Sequence, residues 1–101
     1  MSVMIEQGAI FSTVRLGGDI GICAAVELRG VLIEAISSGL DIKVEFAGVT
    51  ALDITTLQLL WAADRAADRA GTKLLQSGPI PAAVEAAMDL ARIERLTVSS
   101  R

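Results

Sequence analysis

The sequence predicts an α/β domain: a mixed β-sheet of four or five strands with helices packed mainly on one face. Two observations carry that reading. Short stretches with an apolar period of two alternate along the chain with longer stretches whose apolar residues recur at the helical period, the pattern of a sheet layered with helices. The chain has 101 residues, 52% of them apolar and 21% charged, which is enough for one hydrophobic core and too little for a second. Residues 1–101 are therefore read as one domain.

In residues 1–16, Val3, Ile5, Ile10, Val14 and Leu16 form a broken alternation with Gly8 between its halves, which predicts one or two strands. Gly17-Gly18-Asp19-Ile20-Gly21 reads as a turn; it has neither the spacing nor the Lys of a phosphate-binding loop. The first helix is expected over Ile22 to Ser38, with Ala24, Ala25, Leu28, Val31, Leu32, Ala35 and Ile36 on its core face. Val26 and Ile33 fall at the margin of the polar face, and Gly39 ends the helix. Cys23 lies toward the polar side, with no base or cation beside it in sequence to make it a nucleophile.

The stretch from Val44 to Trp61 organises the rest. Ile42, Val44 and Phe46 alternate with Lys43 and Glu45, which predicts a strand; Gly48 breaks it, and a short polar loop leads into a second helix running from Thr56 to Ala70. Thr55-Thr56-Leu57-Gln58 matches a capping box, with Asp53 as a competing cap. Either way Asp53, Thr55 and Thr56 crowd the positive end of a helix dipole. On a wheel, Leu59, Leu60, Ala62, Ala63, Ala66, Ala67 and Ala70 form an apolar arc, while Asp64, Arg65, Asp68 and Arg69 face water. Leu57 and Trp61 fall outside the arc, between the charges. An aromatic residue ringed by charges has the composition of a protein-binding hot spot, and it is equally the composition of a side chain folded over a sheet edge. Thr72 to Gln76 is read as a short strand and Ser77-Gly78-Pro79 as a turn. A third helix is expected over Ala82 to Leu96, with Val84, Ala87, Met88, Ala91 and Arg95 near one face and the last five residues frayed.

Composition excludes several functions. A formal charge of −3, two Phe, one Trp and no Tyr leave little with which to neutralise phosphates or stack on bases, so nucleic acid is not an expected partner. With no His and a single Cys, the chain cannot supply a Ser-His-Asp triad, a Cys-His dyad or an ordinary zinc site. No metal, no cofactor and no enzymatic activity are expected. The lone thiol fits a reducing compartment. No apolar run reaches the roughly 18 residues of a membrane span and no signal-peptide pattern opens the chain, so the expected location is cytoplasmic.

The motif VEFAGVTALDITTLQLL, with the Gly-Asp-Ile-Gly-Ile turn, the run Ala25 to Arg29 and Gly71-Thr-Lys-Leu entering a strand, resembles the STAS domain of bacterial anti-sigma-factor antagonists. The resemblance spans roughly residues 10–96. It implies a STAS-type fold and a transcription-regulatory, non-enzymatic binding module that sequesters a kinase-type anti-sigma factor or a related signalling kinase and is released by Ser/Thr phosphorylation at the helix start. Asp53 matches the family's Asp. Ile54 stands where that pattern carries its phosphorylated Ser or Thr, so Thr55 and Thr56 become the substitute candidates, or else serve only as caps. Leu57, Trp61, Asp64, Arg65 and Asp68 would form the partner-binding surface. The resemblance also implies a second reading, an accessory subunit that binds the ABC ATPase of a lipid transport complex without a phospho-switch, to which Ile54 is suited. Homodimerisation is compatible with either.

Overall fold

The computed structural model describes residues 2–91. In chain order the elements are β1 (Ser2–Gln7), β2 (Phe11–Ile20), a 3-10 turn (Ile22–Ala24) leading into α1 (Ala25–Ser37), β3 (Asp41–Leu52), α2 (Ile54–Arg69), β4 (Leu74–Ser77) and α3 (Ala82–Ala91). The sheet has four strands in the order β1-β2-β3-β4. β1 and β2 form an antiparallel hairpin, whereas β3 lies parallel to both β2 and β4, as helical crossovers require. The fold is thus the expected single α/β domain with a mixed sheet.

Alternation along the strands decides which sheet face is covered. Val14, Leu16 and Ile20 of β2, Ile42, Val44, Phe46 and Val49 of β3 and Leu74 of β4 are buried, and they share one core with Leu28, Leu32 and Ala35 of α1, Leu57 and Leu60 of α2 and Val84 and Ala87 of α3. Residues of the opposite parity point the other way. There Arg15 donates to Glu6 at 2.6 Å and to Glu45 at 2.9 Å, and the Lys43 ammonium lies 4.1 Å from the centre of the Phe11 ring. Both carboxylates, Glu6 foremost, stabilise the charged guanidinium and push its pKa up. The buried Ser12 hydroxyl is satisfied by the half-buried Ser38: the two hydroxyls meet at 3.0 Å, and Ser38 Oγ donates to Ala35 O at 2.6 Å.

Two sequence expectations are corrected here. Gly17-Gly18 is not a turn and Gly48 does not end a strand: β2 runs on to Ile20 and β3 to Leu52. The ladder survives the glycines because its register shifts twice, between Arg15 and Gly17 and between Gly18 and Asp19, each time with the extra residue on β3, and Gly18, on the facing strand, takes a left-handed φ of 74° that glycine adopts without strain. The bulging explains why the buried residues of β3 step from Phe46 to Val49 rather than by two. Gly17 faces Gly48 across the ladder; a Cβ on Gly48 would stand 3.4 Å from Gly17 Cα, so the strands approach closely at this point.

The helix ends follow their sequence signals. α2 closes in a Schellman motif, with Gly71 N–H donating to Asp68 O at 3.1 Å and Thr72 N–H to Ala67 O at 2.9 Å, and Gly71 supplies the φ of 84°. β4 is shifted relative to the expected Thr72 to Gln76, starting at Leu74. Of the third helix, Val84 and Ala87 are buried and Met88 packs against the core; the expected continuation to Leu96, with Arg95 and the frayed end, lies outside the described residues.

Candidate functional site

The site lies where the two parallel strands β2 and β3 end. Ile20 and Leu52 are ladder partners, and one residue, Asp53, carries the chain from β3 into α2. Its backbone N–H donates to Ile20 O at 3.0 Å, tying the helix entrance to the neighbouring strand. Its side chain is the cap: Oδ1 accepts from Thr55 N–H at 2.7 Å, and Asp53 itself is extended at φ −80°, ψ 146°, the ordinary N-cap geometry. Thr56 and Leu57 N–H donate to Asp53 O at 3.0 and 3.3 Å. Of the two caps that the sequence offered, the carboxylate is the one used, and α2 begins at Ile54 rather than Thr56.

The candidate residues then separate. Thr55 is exposed. Thr56 is wholly buried, and its Oγ1 has no hydrogen-bond partner, so as a phosphate acceptor it is corrected: no kinase can reach that hydroxyl in the folded domain. Leu57 is corrected as well. It is 0% exposed and belongs to the core, not to a partner-facing surface. The cause is the orientation of the wheel. Seven apolar positions, five of them alanines, pulled the expected arc toward Ala62 and Ala66, but burial free energy scales with area, and the large side chains Leu57 and Leu60 set the rotation of the helix. Ala62 is left exposed as a result. The alanines line an apolar groove against Ile33 and Ile36 of α1.

The same rotation turns Ile54, Gln58, Trp61, Arg65 and Asp68 outward, at the three- and four-residue spacing of one helix face. Ile54 is 38% exposed and Trp61 43%. The Arg65 guanidinium carbon lies 5.7 Å from the Trp61 ring centre, within cation–π distance. Asp64 is half-buried beside this stripe. The 3-10 turn packs against α2 and adds Ile22, while Val26 follows on α1; both are strongly exposed. The sequence reading singled out neither as a site residue, although Val26 at the margin of a polar face was the available signal. Cys23 is an exposed free thiol. Among the described residues no three metal-ligating side chains gather, and the outward face of α2 combines a carboxylate-capped helix start with two exposed apolar side chains, Ile54 and Trp61, among charged neighbours.

Comparison with solved structures places this fold among known ones. The anti-sigma factor antagonist SpoIIAA in its unphosphorylated form superposes with a TM-score of 0.78 at 16% identity, over 95% of this chain and 85% of that one. TM1081 of Thermotoga maritima, assigned as an anti-sigma factor antagonist, gives 0.76 at 12% identity over 94% of this chain and 82% of that one. No curated protein matches the sequence. The model of the family described as "Mlab, STAS domain" matches residues 4–98, and the chain belongs to that STAS family.

Proposed function

We propose that this domain is a regulatory protein-binding module whose working surface is the outward face of α2, and that its partner is a kinase-type anti-sigma factor or a related signalling kinase in the cytoplasm. The observation that carries the reading is the outward placement of Ile54 and Trp61 on a helix otherwise anchored in the core, with Arg65 over the indole and Asp68 completing a polar rim. Large apolar side chains held in water on a rigid element favour a protein partner. The likeness to SpoIIAA supports the fold of such a module. Thr55 is an exposed hydroxyl at the helix start, and a phosphate there would add about −1.5 to −2 charge near Asp53, at the margin of the surface, and repel a docked partner.

Ile54 favours a second reading. An exposed Ile at the first helical position gives the surface a permanent apolar contact that no kinase can modify, which suits constitutive assembly with the ATPase of an ABC transport complex. One experiment separates the two: affinity purification of the tagged chain from its source cells, with mass spectrometry of the co-purifying proteins and of the peptide spanning residues 53–65. A kinase-type partner, with phosphate on Thr55 in the unbound pool, supports the antagonist reading; an ABC ATPase with an unmodified peptide supports the second. Unchanged capture by Trp61→Ala would exclude the α2 face in both.

A further inference from the structure

The sheet has a second feature that can recruit protein, independent of what α2 binds. β1 pairs with β2 in unbroken register from Ser2↔Gly17 to Gln7↔Ser12, and among the described residues no strand lies on its other side. The hairpin fixes which backbone groups are spent. Gly8 N–H donates to Phe11 O at 2.8 Å, which makes Gly8 and Phe11 a bonded pair. Bonded and non-bonded pairs alternate along an antiparallel ladder, so Glu6, Met4 and Ser2 are bonded to β2 too. Val3, Ile5 and Gln7 therefore direct their N–H and C=O groups out of the sheet.

Open edges are usually blunted by Lys, Pro or a bulge. β1, SVMIEQ, has none of these. The opposite edge does: β4 is four residues long, with Lys73 just before it and Pro79 just after. We propose that a second copy of this chain occupies the β1 edge, the two β1 strands pairing antiparallel about a two-fold axis through Ile5. In this register Ile5 faces Ile5 of the partner subunit and Val3 faces Gln7 of the partner subunit, so every outward N–H and C=O of both strands is paired. An axis through Met4 would instead carry Gln7 past Ser2 and leave it beyond the described strand. On the uncovered sheet face Met4, 60% exposed, lies opposite Glu6 of the partner subunit, and no like charges stand directly opposite. The two Glu6 carboxylates are diagonal neighbours, each already held by its own Arg15 at 2.6 Å. On the helix face the half-buried Val3 and Ile5 gain cover. Pairing like with like closes the assembly as a dimer, whereas β1 on β4 would propagate.

The test is sedimentation in reducing buffer, since Cys23 is exposed, together with amide hydrogen exchange. The expected result is a species of twice the 10.5 kDa chain mass, with slow exchange at the Val3, Ile5 and Gln7 amides. Gln7→Pro removes an outward N–H from an exposed residue and spares the β1/β2 ladder; it should halve the mass and restore fast exchange at Val3 and Ile5 without altering the circular dichroism. A wild-type monomer at about 1 mM, where even a millimolar Kd populates the dimer, would overturn the proposal. So would a dimer whose three amides exchange freely, or a folded Gln7→Pro that remains dimeric. Should Gln7→Pro fail to fold, wild-type exchange decides alone.

Discussion

Replacing Thr56 by Val should stabilise the domain. The two side chains have the same shape, and the position is 0% exposed, so packing is conserved while the partnerless Oγ1 is exchanged for a methyl group. Helix propensities of Thr and Val are close and contribute little. A buried hydroxyl without a partner costs roughly 1–3 kcal/mol, and for a domain of this size each kcal/mol moves Tm by about 4–8 °C. Thr56→Val is therefore expected to raise Tm by about 10 °C, and the urea midpoint by about 1–2 M at unchanged m, read by circular dichroism. Thr56→Ser keeps the hydroxyl and loses the methyl group, and should cost about 0.5–1.5 kcal/mol. A Thr56→Val domain equal to or weaker than the parent would refute the reasoning, because it would show that the hydroxyl makes a bond in the native state, for instance to a buried water.

Three further outcomes follow from the geometry of α2 and the glycine bulge. Leu57→Ala should lose about 2–5 kcal/mol of stability, whereas Trp61→Ala, at a side chain 43% exposed, should lose less, about 1–2 kcal/mol, and weaken partner capture about 30-fold, the effect of a hot spot worth about 2 kcal/mol; denaturation and a binding titration on both variants distinguish core from surface. Asp53→Ala removes the cap and should cost about 0.5–2 kcal/mol, with Asp53→Asn recovering most of it in the same denaturation assay. Gly18→Ala forces a Cβ into the left-handed region and should cost about 1–2 kcal/mol, measured by thermal melting.

The sequence made the layer pattern readable because burial on one face imposes a period: Val14 and Leu16, Val44 and Phe46, Leu28 and Leu32 all occupy the core positions that their spacing implied. It misled where period and composition parted. Gly17, Gly18 and Gly48 look like punctuation, but a bulged ladder uses glycine too, Gly18 for its positive φ and Gly17 and Gly48 where they face each other across the strands, and only the neighbouring strand tells ladder from turn. Leu57 was lost because alanine counts as apolar on a wheel while burying little area, so Ala62 and Ala66 drew the expected arc away from it, while Leu60, Ala63 and Ala67 of that arc are buried. The cap was legible as a choice between Asp53 and Thr55, and the carboxylate prevailed as the stronger acceptor at a helix start. Trp61 stands exposed among charges, the placement its position in the sequence implied. Ile22 and Val26 were passed over because an exposed aliphatic is unremarkable in a list and becomes informative only beside another.

The ion pairs on the uncovered sheet face shape how the domain meets anything charged. Glu6 and Glu45 are offset there by Arg15, with Lys43 nearby over Phe11, so two carboxylates and two cations cancel within one face. At about a Debye length, roughly 8–10 Å at physiological ionic strength, such a balanced cluster exerts little pull. A charged body approaching the sheet meets carboxylates already engaged by Arg15, and gains from them only by displacing the guanidinium at contact.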